Sequence, residues 1–158
     1  MAICPAAGWA MAFRRGVLPA ASADRSCPKP QSRQERNQMK LNHCNLCTAD
    51  VAGLSDFFTR FFGFTLIAMR GKDAFAILRG TDGFGLNLMQ RGKGKDGEYP
   101  EGFHVGFVVS HADDVVAKHA EIKAAGFEPG DVQTLTRGGA TTIFYCRAPG
   151  GILVEVSA

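Results

Sequence analysis

Phe103-His104-Val105-Gly106-Phe107-Val108-Val109 reads as a strand: Phe103, Val105, Phe107 and Val109 form one strongly apolar face, and His104, Gly106 and Val108 lie opposite. It has a counterpart upstream. The run Leu41 to Thr48 carries His43, Asn45 and Cys47 on one side and Cys44 and Leu46 on the other. Each of these runs is followed by a helix-like segment ending in Gly-Phe, at Gly63-Phe64 and Gly126-Phe127, which is 20 residues after His43 and 22 after His104. Each copy closes on a strand with a polar residue four after a glycine, Gly83 leading to Asn87 and Gly151 to Glu155. The chain is thus an internal repeat, and His43, His104 and Glu155 occupy three of four equivalent places, with Asn87 in the fourth. Two imidazoles and one carboxylate suit a divalent metal.

Between these landmarks the elements follow from pattern and punctuation. Val51, Leu54, Phe58 and Phe61 recur at helical spacing, with Asp50 placed to cap the start and Gly63 to end it. Segments 64–70, 74–79 and 84–89 are short, β-prone and separated by glycine turns, the signature of a meander. A glycine-rich charged connector spans 91–101, where Arg91, Lys93 and Lys95 read as a solvated loop that a cup could use as a lid. His111 to Ala125 gives a second helix, and 127–134, 140–147 and 151–157 give the last strands. Each module, about 40–90 and 102–157, is β-α-β-β-β, so the expected class is α+β: a curved, mainly antiparallel sheet closed by the two modules, helices outside and the polar set on the concave side.

Bulk composition sets limits on function. The chain has 158 residues, 46% hydrophobic and 21% charged, enough for one core, and residues 39–158 are read as a single domain. No run approaches the roughly 18–20 apolar residues of a bilayer span. Residues 1–38 hold six Lys/Arg against Asp24 and Glu35, a net +4, so the formal +3 of the whole leaves the remainder at −1. A near-neutral body without a basic stripe argues against nucleic acid as partner. Residues 1–38 lack periodicity and are rich in Ala, Pro, Ser and Arg, which reads as a disordered or spurious extension before Met39; the composition also allows a transit peptide. Five cysteines, Cys4, Cys27, Cys44, Cys47 and Cys146, have no disulfide-framework spacing, and a reducing cytoplasm is expected. Cys44 and Cys47 face opposite sides of their strand and cannot grip one ion together. His111 reads as a capping or surface residue, and His119 as the flank of a packed helix face.

The strand Leu41 to Leu46, the helix end Phe61-Phe62-Gly63-Phe64, the strand Phe103 to Val109, the helix end Ala124-Ala125-Gly126-Phe127 and the closing run Phe144 to Glu155 together resemble the vicinal oxygen chelate superfamily. That superfamily includes glyoxalase I, extradiol dioxygenases, fosfomycin-resistance enzymes and bleomycin-binding proteins. The resemblance covers about residues 40–157. It implies metal ligands on the first strand of each module and the last strand of the second, the positions of His43, His104 and Glu155. It also implies a homodimer.

Imidazole nitrogen and carboxylate oxygen suit Fe(II), Mn(II), Ni(II) or Zn(II), and three ligands leave positions open for water or substrate. With one carboxylate such a centre keeps a formal charge of about +1, favouring a small anionic molecule that chelates through adjacent oxygens. Glyoxalase-like relatives place a fourth, glutamate ligand where Asn87 stands, and an amide cannot serve as a carboxylate base. Dioxygenase-like relatives match from Phe144 to Glu155, with Tyr145 as the tyrosine beside substrate, but Thr136 occupies the place of their acid/base histidine. Fosfomycin-type transferases require a phosphonate-binding cluster that this sequence does not display. Asn87, Asn45 and Cys47 are expected to contact substrate and Tyr145 to act in catalysis. The competing reading is a metal-free small-molecule or drug-binding protein using the same cup.

Overall fold

The computed structural model describes residues 39–92, 99–136 and 138–158. The expected extension 1–38, and Lys93 and Lys95 of the connector, lie outside the described residues. The element order is β1 His43–Thr48, α1 Val51–Phe61, β2 Thr65–Arg70, β3 Phe75–Arg79, β4 Gly85–Gln90, β5 Val105–Val108, α2 Ala112–Ala124, β6 Gln133–Leu135, β7 Thr141–Arg147 and β8 Leu153–Ser157.

Local chemistry accounts for the helix ends. The Asp50 carboxylate accepts from Gly53 N at 2.8 Å, satisfying a donor that the first turn leaves free. Gly126 (φ +90°) ends α2 in a Schellman arrangement, with Phe127 N donating to Ile122 O and Gly126 N to Lys123 O. Gly63 (φ +67°) plays the same part for α1, and there Phe64 N reaches Phe58 O. The phenylalanine after each glycine then packs inward. Phe64 meets Phe58 at 5.8 Å between ring centroids, and Phe127 meets Phe57 at 5.0 Å. The repeated Gly-Phe is therefore a stop signal joined to a core anchor.

The strands form two four-stranded sheets, β1-β4-β3-β2 and β5-β8-β7-β6. β1 pairs with β4 and β5 with β8 in parallel, while the other pairs are antiparallel. The α+β class and the two modules match expectation, but the single closed sheet does not form within the chain. One physical reason lies at the edge of β1. Cys47 N donates to the Tyr99 hydroxyl at 2.6 Å, and that hydroxyl donates to Cys47 O at 3.0 Å, so at Cys47 the groups a neighbouring strand would need are already taken. β6 is also shorter than the expected 127–134. Pro129 cannot donate to a ladder, and among the described residues the pairing before β6 continues through the Gly130 N to Tyr145 O bond.

One core serves both modules. Leu46, Leu54, Phe57, Phe58, Leu78 and Leu88 from the first and Val115, Ile122, Phe144 and Val154 from the second are all buried in it. Burying each such side chain contributes about 1.5–3 kcal/mol. Across the join Phe62 stacks on Phe107 at 4.2 Å, and Lys118 Nζ donates to Phe61 O at 2.8 Å. The helices cover one face of each sheet. On the opposite faces His43, Asn45, Cys47, Tyr145 and Val108 are exposed, Val108 at 84%.

Candidate metal and substrate site

The register makes the two half-sites comparable. On β1 and β4, His43 stands opposite Gly85 and Asn45 opposite Asn87; on β5 and β8, Gly106 stands opposite Glu155. In both modules the closing polar residue thus faces the position two after the histidine. Gly85 leaves room for its partner, since a Cβ there would come within 3.1 Å of the His43 Cβ.

The second module brings three expected residues together. His104 Nδ1 lies 2.8 Å from Gly102 O, which fixes the proton on Nδ1 in the neutral ring and leaves Nε2 as a lone pair. That nitrogen faces Glu155 Oε2 at 3.3 Å. The same oxygen accepts from the Tyr145 hydroxyl at 2.7 Å, and the rings of His104 and Tyr145 meet edge to face at 5.9 Å. Two acceptors this close repel unless positive charge lies between them, either a second proton on the ring or a metal cation. The hydrogen bond to Glu155, with burial adding to it, raises the Tyr145 phenol above its ordinary range, so the hydroxyl stays protonated and its proton is directed at the carboxylate.

The first module prepares His43 in the same way. Its Nδ1 lies 2.7 Å from Asn42 Oδ1, so Nε2 is again the free atom. Asn87 Nδ2 donates to Asn45 Oδ1 at 2.8 Å, leaving the Asn45 amide hydrogens and the Asn87 carbonyl for another partner. The Cys47 side chain is exposed on the same face, while Cys44 turns toward the core, the opposed placement expected of their spacing. Within one chain, however, His43 does not join His104 and Glu155. Among the described residues no three His, Cys, Asp or Glu side chains gather closely enough to hold one ion. His119 packs edge to face on Phe144 at 5.2 Å, a wall residue as expected, and His111 precedes α2 without a side-chain capping bond.

Sequence reasoning missed Asn42, Gly102 and Tyr99. The first two carried a usable signal, because a ligating histidine donates its other ring nitrogen to a nearby acceptor. Tyr99 was hidden in a connector read only for its charge; it stacks on Phe103 at 4.3 Å. Two cavities flank the site. One, of about 640 Å³, is lined by Phe62, Phe64, Phe84, Leu86, Phe107 and His104 among others; the second, of about 770 Å³, has Arg91, Tyr99, Glu101 and Arg147 in its wall.

The donor chemistry fits a divalent ion: a lone-pair nitrogen fixed from behind faces a carboxylate oriented by a phenol, and a second histidine carries the same preset tautomer. With this geometry in place, the match to known proteins is direct. The model of the Glyoxalase/Bleomycin resistance protein/Dioxygenase superfamily matches residues 40–156, and the chain belongs to that superfamily. A possible glyoxalase from Bacillus cereus shares 37% identity and a TM-score of 0.65 over 77% of this chain and 100% of its own. Lactoylglutathione lyase from Agrobacterium tumefaciens superimposes with a TM-score of 0.60 at 15% identity, over 77% of this chain and 94% of its own. A mutant fosfomycin resistance protein FosX from Listeria monocytogenes, complexed with Mn(II) and dihydroxypropylphosphonic acid, gives 0.63 at 17% identity over 77% and 92%. The last two share the fold. No curated protein matches the sequence. No helix among the described residues is long and apolar enough to cross a membrane.

Proposed function

We propose that the protein is a divalent-metal-dependent enzyme acting on a small substrate that chelates through adjacent oxygens, by dioxygenase-like or glyoxalase-like lyase or isomerase chemistry. The observation that supports this reading is His104 Nε2 held 3.3 Å from Glu155 Oε2 with its Nδ1 proton fixed by Gly102 O, a nitrogen–carboxylate pair that a divalent cation would bridge in place of a ring proton. His104 and Glu155 would hold the ion, which would be Fe(II), Mn(II), Ni(II) or Zn(II) and would supply Lewis-acid polarisation of the bound oxygens. Tyr145 orients the carboxylate through its 2.7 Å hydrogen bond, and it would donate to substrate by releasing that bond. Asn45 and Asn87 present one free amide donor and one free carbonyl to a substrate hydroxyl or carbonyl, and being uncharged they leave the centre with a single carboxylate.

His43 is the third ligand in this reading, delivered by a second copy of the chain. Its Nε2 is preset, its sheet face is open, and the His104 sheet face is open too. A homodimer that sets one face over the other would complete the trio. A cytoplasmic setting suits the free thiols of Cys44, Cys47 and Cys146. The metal-free binder remains the second reading, favoured by the largely apolar cavity of about 640 Å³. Metal content of protein purified without added ions separates them. Near-stoichiometric metal that is lost in Glu155→Ala supports the enzyme, and folded, metal-free wild type supports the binder. Turnover of catechols against hemithioacetals then distinguishes the two chemistries.

A further inference from the structure

We infer that the cavity between Arg91 and Arg147 is an anion subsite that takes the carboxylate or phosphate group of a small molecule whose other end reaches His104 and Glu155. The cavity, of about 770 Å³, is large enough for such a group. Among its described lining residues two guanidinium groups outnumber one carboxylate, that of Glu101. Arg147 Nη1 donates to Gly151 O at 3.3 Å, which anchors the side chain yet uses one of five N–H donors. Arg91 is anchored by its backbone, whose N–H donates to Thr48 O at 2.9 Å. Arg91 and Tyr99 line the same cavity.

Position ties this cavity to the metal-capable pair. Arg147 stands opposite Leu153 on β7 and β8, and Tyr145 stands opposite Glu155 two residues along on the same face, a separation of roughly 7 Å. Gly102 lines the cavity, and its carbonyl fixes the His104 ring. An anionic group held by the arginines would therefore extend the molecule toward the pair. This last link rests on the function proposed above; anion binding by itself does not.

Calorimetric titration of the full chain with inorganic phosphate and with acetate, at constant ionic strength and neutral pH, tests the subsite. Saturable binding of at least one anion is expected, and comparing the two identifies the preferred group. Arg91→Gln should weaken it about tenfold or more, the loss of one charge-assisted hydrogen bond. Glu101→Gln should tighten it, since a like charge is removed. Titrating protein stripped of metal with EDTA should give the same affinity, which separates this inference from failure of the metal reading. Arg147→Gln also disturbs the turn at Gly151, so Arg91→Gln and Glu101→Gln decide, each checked for folding by circular dichroism. Absence of saturable binding, an affinity unchanged in Arg91→Gln or not increased in Glu101→Gln, or loss of binding on metal removal would overturn the proposal.

Discussion

Glycine 102 contributes no side chain, yet its carbonyl decides which nitrogen His104 presents to Glu155. The phenol of Tyr145 then decides which way the carboxylate points. Removing that phenol as Tyr145→Phe should weaken divalent-metal affinity about tenfold while leaving the fold intact, the usual scale for a group that orients a ligand. Isothermal titration with Mn(II) checks this, and an unchanged affinity would remove Tyr145 from the site. The tyrosines also carry a pH signature. Tyr99 is raised chiefly by burial and Tyr145 chiefly by its bond to Glu155, so both hold their protons more tightly folded than unfolded. Their contribution is complete below the ordinary phenol range near about pH 10 and is lost as pH rises through and beyond it, because the unfolded chain deprotonates first. Thermal melts across that range should show a smaller alkaline loss in Tyr99→Phe than in wild type.

Among the elements, the short 3-10 turn Pro149–Gly151 makes the strictest demand on sequence. Gly150 has φ +75°, and a Cβ there would overlap the Thr48 hydroxyl at the end of β1. Gly150→Ala should therefore cost about 2–4 kcal/mol. Gly63→Ala offers the contrast: φ is +67°, but nothing lies within 4 Å of the added carbon, so about 1 kcal/mol is expected. Denaturant melts of the two variants measure the difference. The same elements show what could be read in advance. The Gly-Phe stops, the Asp50 cap and the opposed faces of the histidine strands were legible because period and capping are local properties. The short β6, the parallel pairing of β1 with β4 and the Tyr99 clasp on Cys47 were not, because each depends on which backbone groups meet across long stretches of chain. The same limit applies to the site: His104, Tyr145 and Glu155 meet through the β5-β8-β7 register, whereas His43 stands apart from them within the chain, which no local pattern in the sequence could tell.

The described chain carries two polar clusters on two open sheet faces, with one core on the opposite side. His43 with Asn45 and Asn87 occupies one, and His104 with Tyr145 and Glu155 the other. Covering both faces at once by pairing two copies would bury exposed Val108 and unite the trio around one ion. Subunit mixing tests this arrangement most directly. His43→Ala and Glu155→Ala chains should each bind no Mn(II) in equilibrium dialysis, yet refolded together they should recover binding, because a mixed dimer retains one intact site with His43 from one protomer and His104 and Glu155 from its partner. Recovery is the result predicted. Tight binding by His43→Ala alone, or no recovery on mixing, would contradict it.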